Sequence, residues 1–404
     1  MTKRSLLAPF SQYGFLIGVL SFIALFSSMG IRSAFGAYVT SWEATFSVTR
    51  VEISAISFLS LLVYGLGIVF GGQLTDRFGP RIILTFSMAL MGLGMLAGYF
   101  AQNVWQLMLF YGIVASLGFG GASNVTVSVA IVNWFQKKRG LIIGIVIVGM
   151  SAGSMVHVPV TIYLIKSLGW RETVLIIGSV YILLLTPLYW FGFRDRPKNA
   201  TESKEKQKAV ETETSPRTSI FRLPITWLII FPYFICGFTD VGLIQTHLIP
   251  LLEDRGISAA TIASSMVVYG LLNIAGAVGG GYLSDRMKPG TLISLLFGLR
   301  LIGLALLFTA DSSWIVFLFC VIYALTDIAT VAPFTALCTQ IYGESKIGSA
   351  FGSITFFHQL GAALGSLIPG MLFQIFTGYR STLVLCFGLL VAAIVVLKRI
   401  RRPA

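Results

Sequence analysis

Apolar runs long enough to cross a bilayer alternate with short polar turns along nearly the whole chain. Crossing the hydrocarbon core takes about 20 helical residues. Runs of that length fall at 13–37, 52–74, 82–100, 104–132, 139–165 and 171–193, and again at 223–252, 259–283, 290–310, 313–335, 346–376 and 379–398. They scarcely offer the polar face that a soluble helix turns to water. The pattern predicts an all-α integral membrane protein with twelve transmembrane helices in two six-helix bundles, 1–193 and 222–404. Residues 194–221, rich in Lys, Glu, Thr and Ser with no apolar face, read as a cytoplasmic linker. The first run lacks a small-residue cleavage site and is followed at once by further spans, so it reads as a retained helix.

Two of the polar turns are copies of one another. Gly71-Gly72-Gln73-Leu74-Thr75-Asp76-Arg77-Phe78-Gly79-Pro80-Arg81 returns as Gly280-Gly281-Tyr282-Leu283-Ser284-Asp285-Arg286-Met287-Lys288-Pro289-Gly290, 209 residues later. A repeat of that period makes the two halves similar. Its glycines let a helix end lie close to a neighbour, and Gly79-Pro80 turns the chain. Asp76, at the membrane edge, needs a basic residue or a helix N-terminus as partner. Such a contact can latch the halves in one state and release them in another. Asp76, Arg77, Arg81, Arg139, Asp285 and Arg286 are therefore gating candidates, against the plainer reading of solvated turns that only fix topology.

The repeated turn resembles the loop between the second and third helices of the major facilitator superfamily, whose members are secondary transporters. Its copy resembles the loop between helices eight and nine. Gly30-Ile31-Arg32-Ser33-Ala34-Phe35-Gly36, and Asn133-Trp134-Phe135-Gln136-Lys137-Lys138-Arg139-Gly140 followed by Gly144, Gly149 and Gly153, resemble the monocarboxylate and oxalate/formate branch. That resemblance implies transport of small carboxylates, often with protons, by rocker-switch alternation around a central site. It also implies that the glycine-rich fifth and eleventh helices meet across the halves as a gating surface; static tight packing is the competing reading. The chain departs from the branch in helix 8, where an arginine is usual and Tyr269 to Ala277 carries no charge. Ala37 stands where animal members carry a lysine, and His358 lies nearest to the helix-11 lysine of oxalate carriers.

Composition narrows the class further. Hydrophobic residues make up 56% of the chain and charged residues 11%, with a mean hydropathy of +0.85, whereas soluble domains are about 25% charged. A large soluble enzyme is excluded. The net charge of +13 is no nucleic-acid signal, because 22 of the 29 Lys and Arg lie at the termini and in the loops on their side. The opposite face holds only Arg50, Lys166, Arg171, Arg255 and Arg380. This bias places both termini in the cytoplasm, in a plasma membrane of the prokaryotic inner-membrane kind. The four cysteines and three histidines show no metal-ligand spacing, and no phosphate-gripping loop is present. Neither an enzyme nor a cofactor is expected. One copy holds both halves of the mechanism, so a monomer suffices.

Ionisable groups within the spans are the site candidates, since each costs about 2.5–3.5 kcal/mol at mid-helix even on the lenient insertion scale. Arg32, flanked by small residues, can grip a carboxylate bidentately. Asp240, near the repeat mate of Gly30, could face Arg32 and yield to substrate or carry a coupling proton. His358 is a second candidate for both roles. Asn124, Asn273 and Tyr323 could orient the ligand. Arg300 and Asp327 read as a buried ion pair between neighbouring helices. His157 reads as structural and His247 as lying near the external mouth. The expected substrate is a small organic anion, first of all a monocarboxylate, with proton symport preferred. Anion exchange, or transport or efflux of amino acids, zwitterions or amphipathic compounds, remains open.

Overall fold

The computed structural model describes residues 12–135, 139–195, 220–342 and 347–399. Among them stand twelve helices long and apolar enough to span a membrane. They are α1 (Tyr13–Phe46), α2 (Arg50–Phe78), α3 (Pro80–Tyr99), α4 (Val104–Trp134), α5 (Arg139–Leu168) and α6 (Trp170–Gly192) in the first bundle. The second holds α7 (Pro224–Asp254), α8 (Ala259–Ser284), α9 (Pro289–Leu307), α10 (Ser313–Tyr342), α11 (Ile347–Phe376) and α12 (Arg380–Arg399). Most of the expected linker, 196–219, lies outside the described residues.

Helix starts follow local chemistry. Thr49 and Glu52 form a reciprocal capping box at α2, and the Ser258 hydroxyl accepts from the Thr261 amide at α8. Proline opens α3, α7 and α9, where its missing N–H costs nothing. Each bundle has its own apolar core. One is built from residues between Ile17 and Phe193, the other from Ile229 to Leu397 with Ala34, Ala37, Val158 and Ile162 reaching in from the first half.

The repeated turn does the same mechanical work twice. A Cβ at Gly71 would lie 3.3 Å from the Gly120 carbonyl oxygen of α4, and one at Gly280 would lie 2.5 Å from the Ala329 carbonyl oxygen of α10. Small residues thus let α2 lie on α4 and α8 on α10. Gly79 has φ 85° between α2 and α3, a conformation that favours glycine.

The expected glycine gating surface is corrected. Gly149 and Gly153 of α5 press on the Phe22 and Phe26 carbonyls of α1, and Gly361 and Gly365 of α11 press on the Phe234 and Phe238 carbonyls of α7. These contacts stay within one bundle, where the absence of side chains brings backbones together. Gly140, Gly348 and Gly352 fall outside the residues whose surroundings are described. Across the halves, α5 packs on α8 and α2 on α11.

Among the described residues α4 and α6 carry π-helical turns at Met108–Ala115 and Tyr181–Leu185, and α4 also breaks at Ala122 and Ser123; three further spans are interrupted at mid-membrane depth. α1 turns at Ala34, α7 is π-helical from Phe238 to Ile244, and α10 breaks around Asp327 before a short 3-10 turn at Ile328–Thr330. Irregular backbone at this depth is tolerated where protein or a cavity satisfies it. All three interruptions border the space between the bundles.

Candidate functional site

That space is a cavity of about 540 Å³ walled by both bundles, within the usual range for ligand sites. Arg32 projects into it two residues before the α1 break, and Ser33 beside it bonds the Ser154 hydroxyl of α5 at 2.8 Å. The Arg32 guanidinium lies 4.3 Å from the Tyr64 ring centroid, and one terminal nitrogen reaches the Met29 sulfur at 3.0 Å. Its Nε has no hydrogen-bond partner among the described residues. Among the described residues no carboxylate pairs with it. Cation–π contact is worth about 0.5–2 kcal/mol, less than the cost of the charge.

The opposite wall carries Asp240, Asn273, Asp327 and His358. The ion pair expected between Arg300 and Asp327 forms instead with Asp240, at 3.3 Å. The reason lies in the α10 break. Its freed carbonyls, Thr326 and Asp327, each accept from an Arg300 terminal nitrogen at 3.0 Å. Arg300 therefore caps broken backbone while holding the Asp240 carboxylate. Asn273 completes the repair, its amide oxygen accepting from the Ile328 N–H at 3.2 Å. The Asp327 carboxylate, left free of Arg300, accepts from Tyr269 Oη and Asn273 Nδ2, both at 2.8 Å. Asp240 and Arg32 share the cavity, but Asp240 is engaged by Arg300.

The remaining candidates separate. His358 sits against the Tyr233 ring, centroids 4.5 Å apart, on the cavity wall. Asn124 is exposed to the cavity at the start of a helical segment of α4. Tyr323 is corrected: it is fully buried behind the wall, and its hydroxyl donates to the Thr239 carbonyl at 3.1 Å. His157 is held within the first bundle by the Gly153 carbonyl and the Tyr181 hydroxyl.

Asp76, Arg77, Asp285 and Arg286 are exposed at the end carrying the termini. The Arg286 guanidinium stacks on Tyr282 at 3.5 Å, and Arg81 donates to the Trp190 carbonyl within its own bundle. The Arg139 side chain lies outside the described residues. At this end the cavity wall is open, with Val69, Val125 and Val331 exposed.

Hydrogen bonds joining the halves gather at the other end. Arg50, read in the sequence only as a loop charge, donates to Glu43 at 2.6 Å within its half and to Asp254 at 2.5 Å across it. It also reaches Tyr379 Oη at 3.2 Å, which donates to His247 Nδ1 at 2.9 Å; His247 Nε2 in turn donates to the Ser366 carbonyl at 2.7 Å. Thr40 bonds Glu253, and Ser57 bonds Thr246. The only sequence signal for this closure was a cluster of opposite charges at the ends of three apolar runs.

A profile of the Major Facilitator Superfamily matches residues 20–366. The uncharacterized MFS-type transporter YcxA of Bacillus subtilis (strain 168) is 26% identical over 91% of this chain and 90% of its own. Monocarboxylate transporter 13 of Rattus norvegicus is 25% identical over 95% and 88%. Among solved structures, a bacterial homolog of the human lysosomal transporter Spinster, inward-facing and unoccupied, superposes with a TM-score of 0.80 at 16% identity, covering 96% of this chain and 97% of that one. The D-xylose–proton symporter gives 0.74 at 16% identity, covering 96% and 98%. With a twelve-helix fold, a central cavity between two bundles and this match across its length, the chain belongs to the major facilitator superfamily and is a membrane secondary transporter.

Proposed function

We propose that this transporter moves a small organic anion, a monocarboxylate, together with a proton by alternating access. The observation that carries the reading is Arg32, a guanidinium on the wall of the central cavity with no carboxylate partner among the described residues. A planar guanidinium takes a carboxylate bidentately. Met29, Ile68, Met150, Val241 and Met266 offer apolar wall to the rest of the molecule. His358, Asn124 and Asn273 are the polar groups placed to orient it. The relatives named as monocarboxylate transporters support the substrate class. A zwitterion reading needs an acid free to take an ammonium; Asp240 is engaged by Arg300, and the Asp327 carboxylate is already taken up by Tyr269 and Asn273.

The basic bias of the termini and their loops sets that side in the cytoplasm of a plasma membrane, so the described form opens inward. In the outward-open form, the charged turns at Asp76–Arg81 and Asp285–Arg286 come together as the inner closure.

Uptake of radiolabelled lactate and pyruvate into proteoliposomes, with and without an inward proton gradient, tests the reading. Saturable uptake that rises with the gradient and is lost in Arg32→Ala is expected. Absence of uptake by folded, inserted native protein under both conditions would overturn the monocarboxylate assignment.

A further inference from the structure

We propose that the break in α4 is an anion subsite, where the Ser123 hydroxyl and the N–H end of the Asn124–Trp134 segment take one oxygen of the substrate carboxylate alongside Arg32. The subsite rests on the reading of Arg32 as the anion's partner and adds the groups that receive the anion beside it. α4 leaves the helical conformation at Ala122 (φ −89°, ψ 43°) and resumes at Asn124. Such a break strands carbonyls on one side and N–H groups on the other. Ser28 of α1 donates to the stranded Phe119 carbonyl at 3.1 Å. On the N–H side Ser123 stands at the N-cap position, where a serine hydroxyl ordinarily accepts from a main-chain amide, yet it makes no capping bond. The α10 break is the contrast, since Arg300 takes up its carbonyls and Asn273 its amide.

Ser123 is 3% exposed, and its Oγ has no hydrogen-bond partner among the described residues. Arg32, at 9%, leaves its Nε in the same condition. Both side chains line one small pocket of about 10 Å³, together with Met29, Tyr64 and Asn124. Arg32, Met29, Tyr64 and Asn124 also line the large central cavity, so the pocket opens from it. Its volume is about that of one water-sized sphere. It takes a single oxygen atom, while the rest of the molecule stays in the cavity.

The chemistry around that space selects the atom. A guanidinium and main-chain amides can only donate, and the serine hydroxyl is free to do so. The partial positive charge of the helix N-terminus adds to the charge of Arg32. An acceptor is therefore required and a negative one preferred, which a carboxylate oxygen satisfies and an ammonium does not.

Thermal unfolding of the detergent-purified full chain, with lactate or nitrate added over a range of concentrations, tests the subsite. Nitrate has the planar charged oxygens of a carboxylate and no carbon skeleton, so it reports the subsite whatever molecule is transported. An anion that binds the folded chain raises the midpoint with concentration. Ser123→Ala should weaken the apparent affinity for both by about tenfold, as for a lost hydrogen bond to a charged group. With neither anion added it should melt no lower than the native chain, because the hydroxyl has no partner to lose. Unchanged affinity in Ser123→Ala overturns the subsite, and so does a midpoint several degrees lower before any addition, which would give the hydroxyl to the fold. Failure of both lactate and nitrate to raise the native midpoint overturns it as well. Nitrate binding that weakens in Ser123→Ala, with no effect of lactate, upholds the subsite and removes the monocarboxylate reading. Lactate binding lost in Arg32→Ala but unchanged in Ser123→Ala does the reverse.

Discussion

At the scale of the residue, the two arginines within the spans have opposite fates. Arg300 is saturated: it grips Asp240 and two main-chain carbonyls and is fully buried. Arg32 rests on the Tyr64 face with its Nε unpaired. Under the proposed function the first is structural and the second takes the ligand. Arg32→Lys therefore tests geometry apart from charge. An ammonium keeps the attraction but not the paired N–H groups, and one charge-assisted hydrogen bond is worth about 1.5–3 kcal/mol. A KM for lactate uptake raised by about tenfold or more is expected; an unchanged KM would place the carboxylate elsewhere.

Elements owe their positions to where side chains are missing. Gly153 lets α5 touch the Phe26 carbonyl of α1, whereas nothing lies within 4 Å of a Cβ built at Gly144, on the same helix. Gly153→Val forces the two backbones apart and should cost about 1–3 kcal/mol, the usual penalty of overpacking. Gly144→Ala should be neutral or slightly stabilising, as helix propensity favours alanine. Thermal unfolding of the two purified variants compares them, and equal midpoints would refute the tight α1–α5 contact. Breaks matter as much as contacts. The α10 interruption is possible only because Arg300 and Asn273, from α9 and α8, take up its freed carbonyls and amide.

For the whole molecule, closure at one end and openness at the other set the state. Arg50 bridges Glu43 and Asp254 across the halves, and Tyr379 links it to buried His247. Removing Arg50 leaves Glu43 and Asp254 without their shared cation, so the closed end loses its attraction and gains repulsion. Each 1.4 kcal/mol of that loss shifts the open-to-closed ratio about tenfold. Ser57, bonded to Thr246 just inside the closure, is a suitable reporter. A cysteine placed by Ser57→Cys should react faster with an impermeant thiol reagent added on the side opposite the termini when Arg50→Ala is also present. Equal rates would show that Arg50 does not hold the closure.

The sequence by itself determined the class and the count. Bilayer thickness fixes the length of an apolar run, so twelve runs become twelve spans whatever their packing. The cost of charge in hydrocarbon singled out Arg32, Asp240, Arg300, Asp327 and His358, and all but Arg300 line the cavity. The 209-residue repeat announced two halves whose glycine contacts prove equivalent. Partnership was left to tertiary structure. Asp240 meets Arg300 and not Arg32, Tyr323 turns its hydroxyl inward to Thr239, and Gly153 faces its own bundle. These choices depend on rotation about helix axes and on backbone breaks at Ala34 and Asp327. Neither leaves a mark in apolar periodicity, because a helix buried among helices is apolar on most of its faces. The Arg50 closure was hidden for a related reason: its charges sit at span ends, where solvated side chains are the ordinary expectation, and only folding brings Asp254 to Arg50 from 204 residues away.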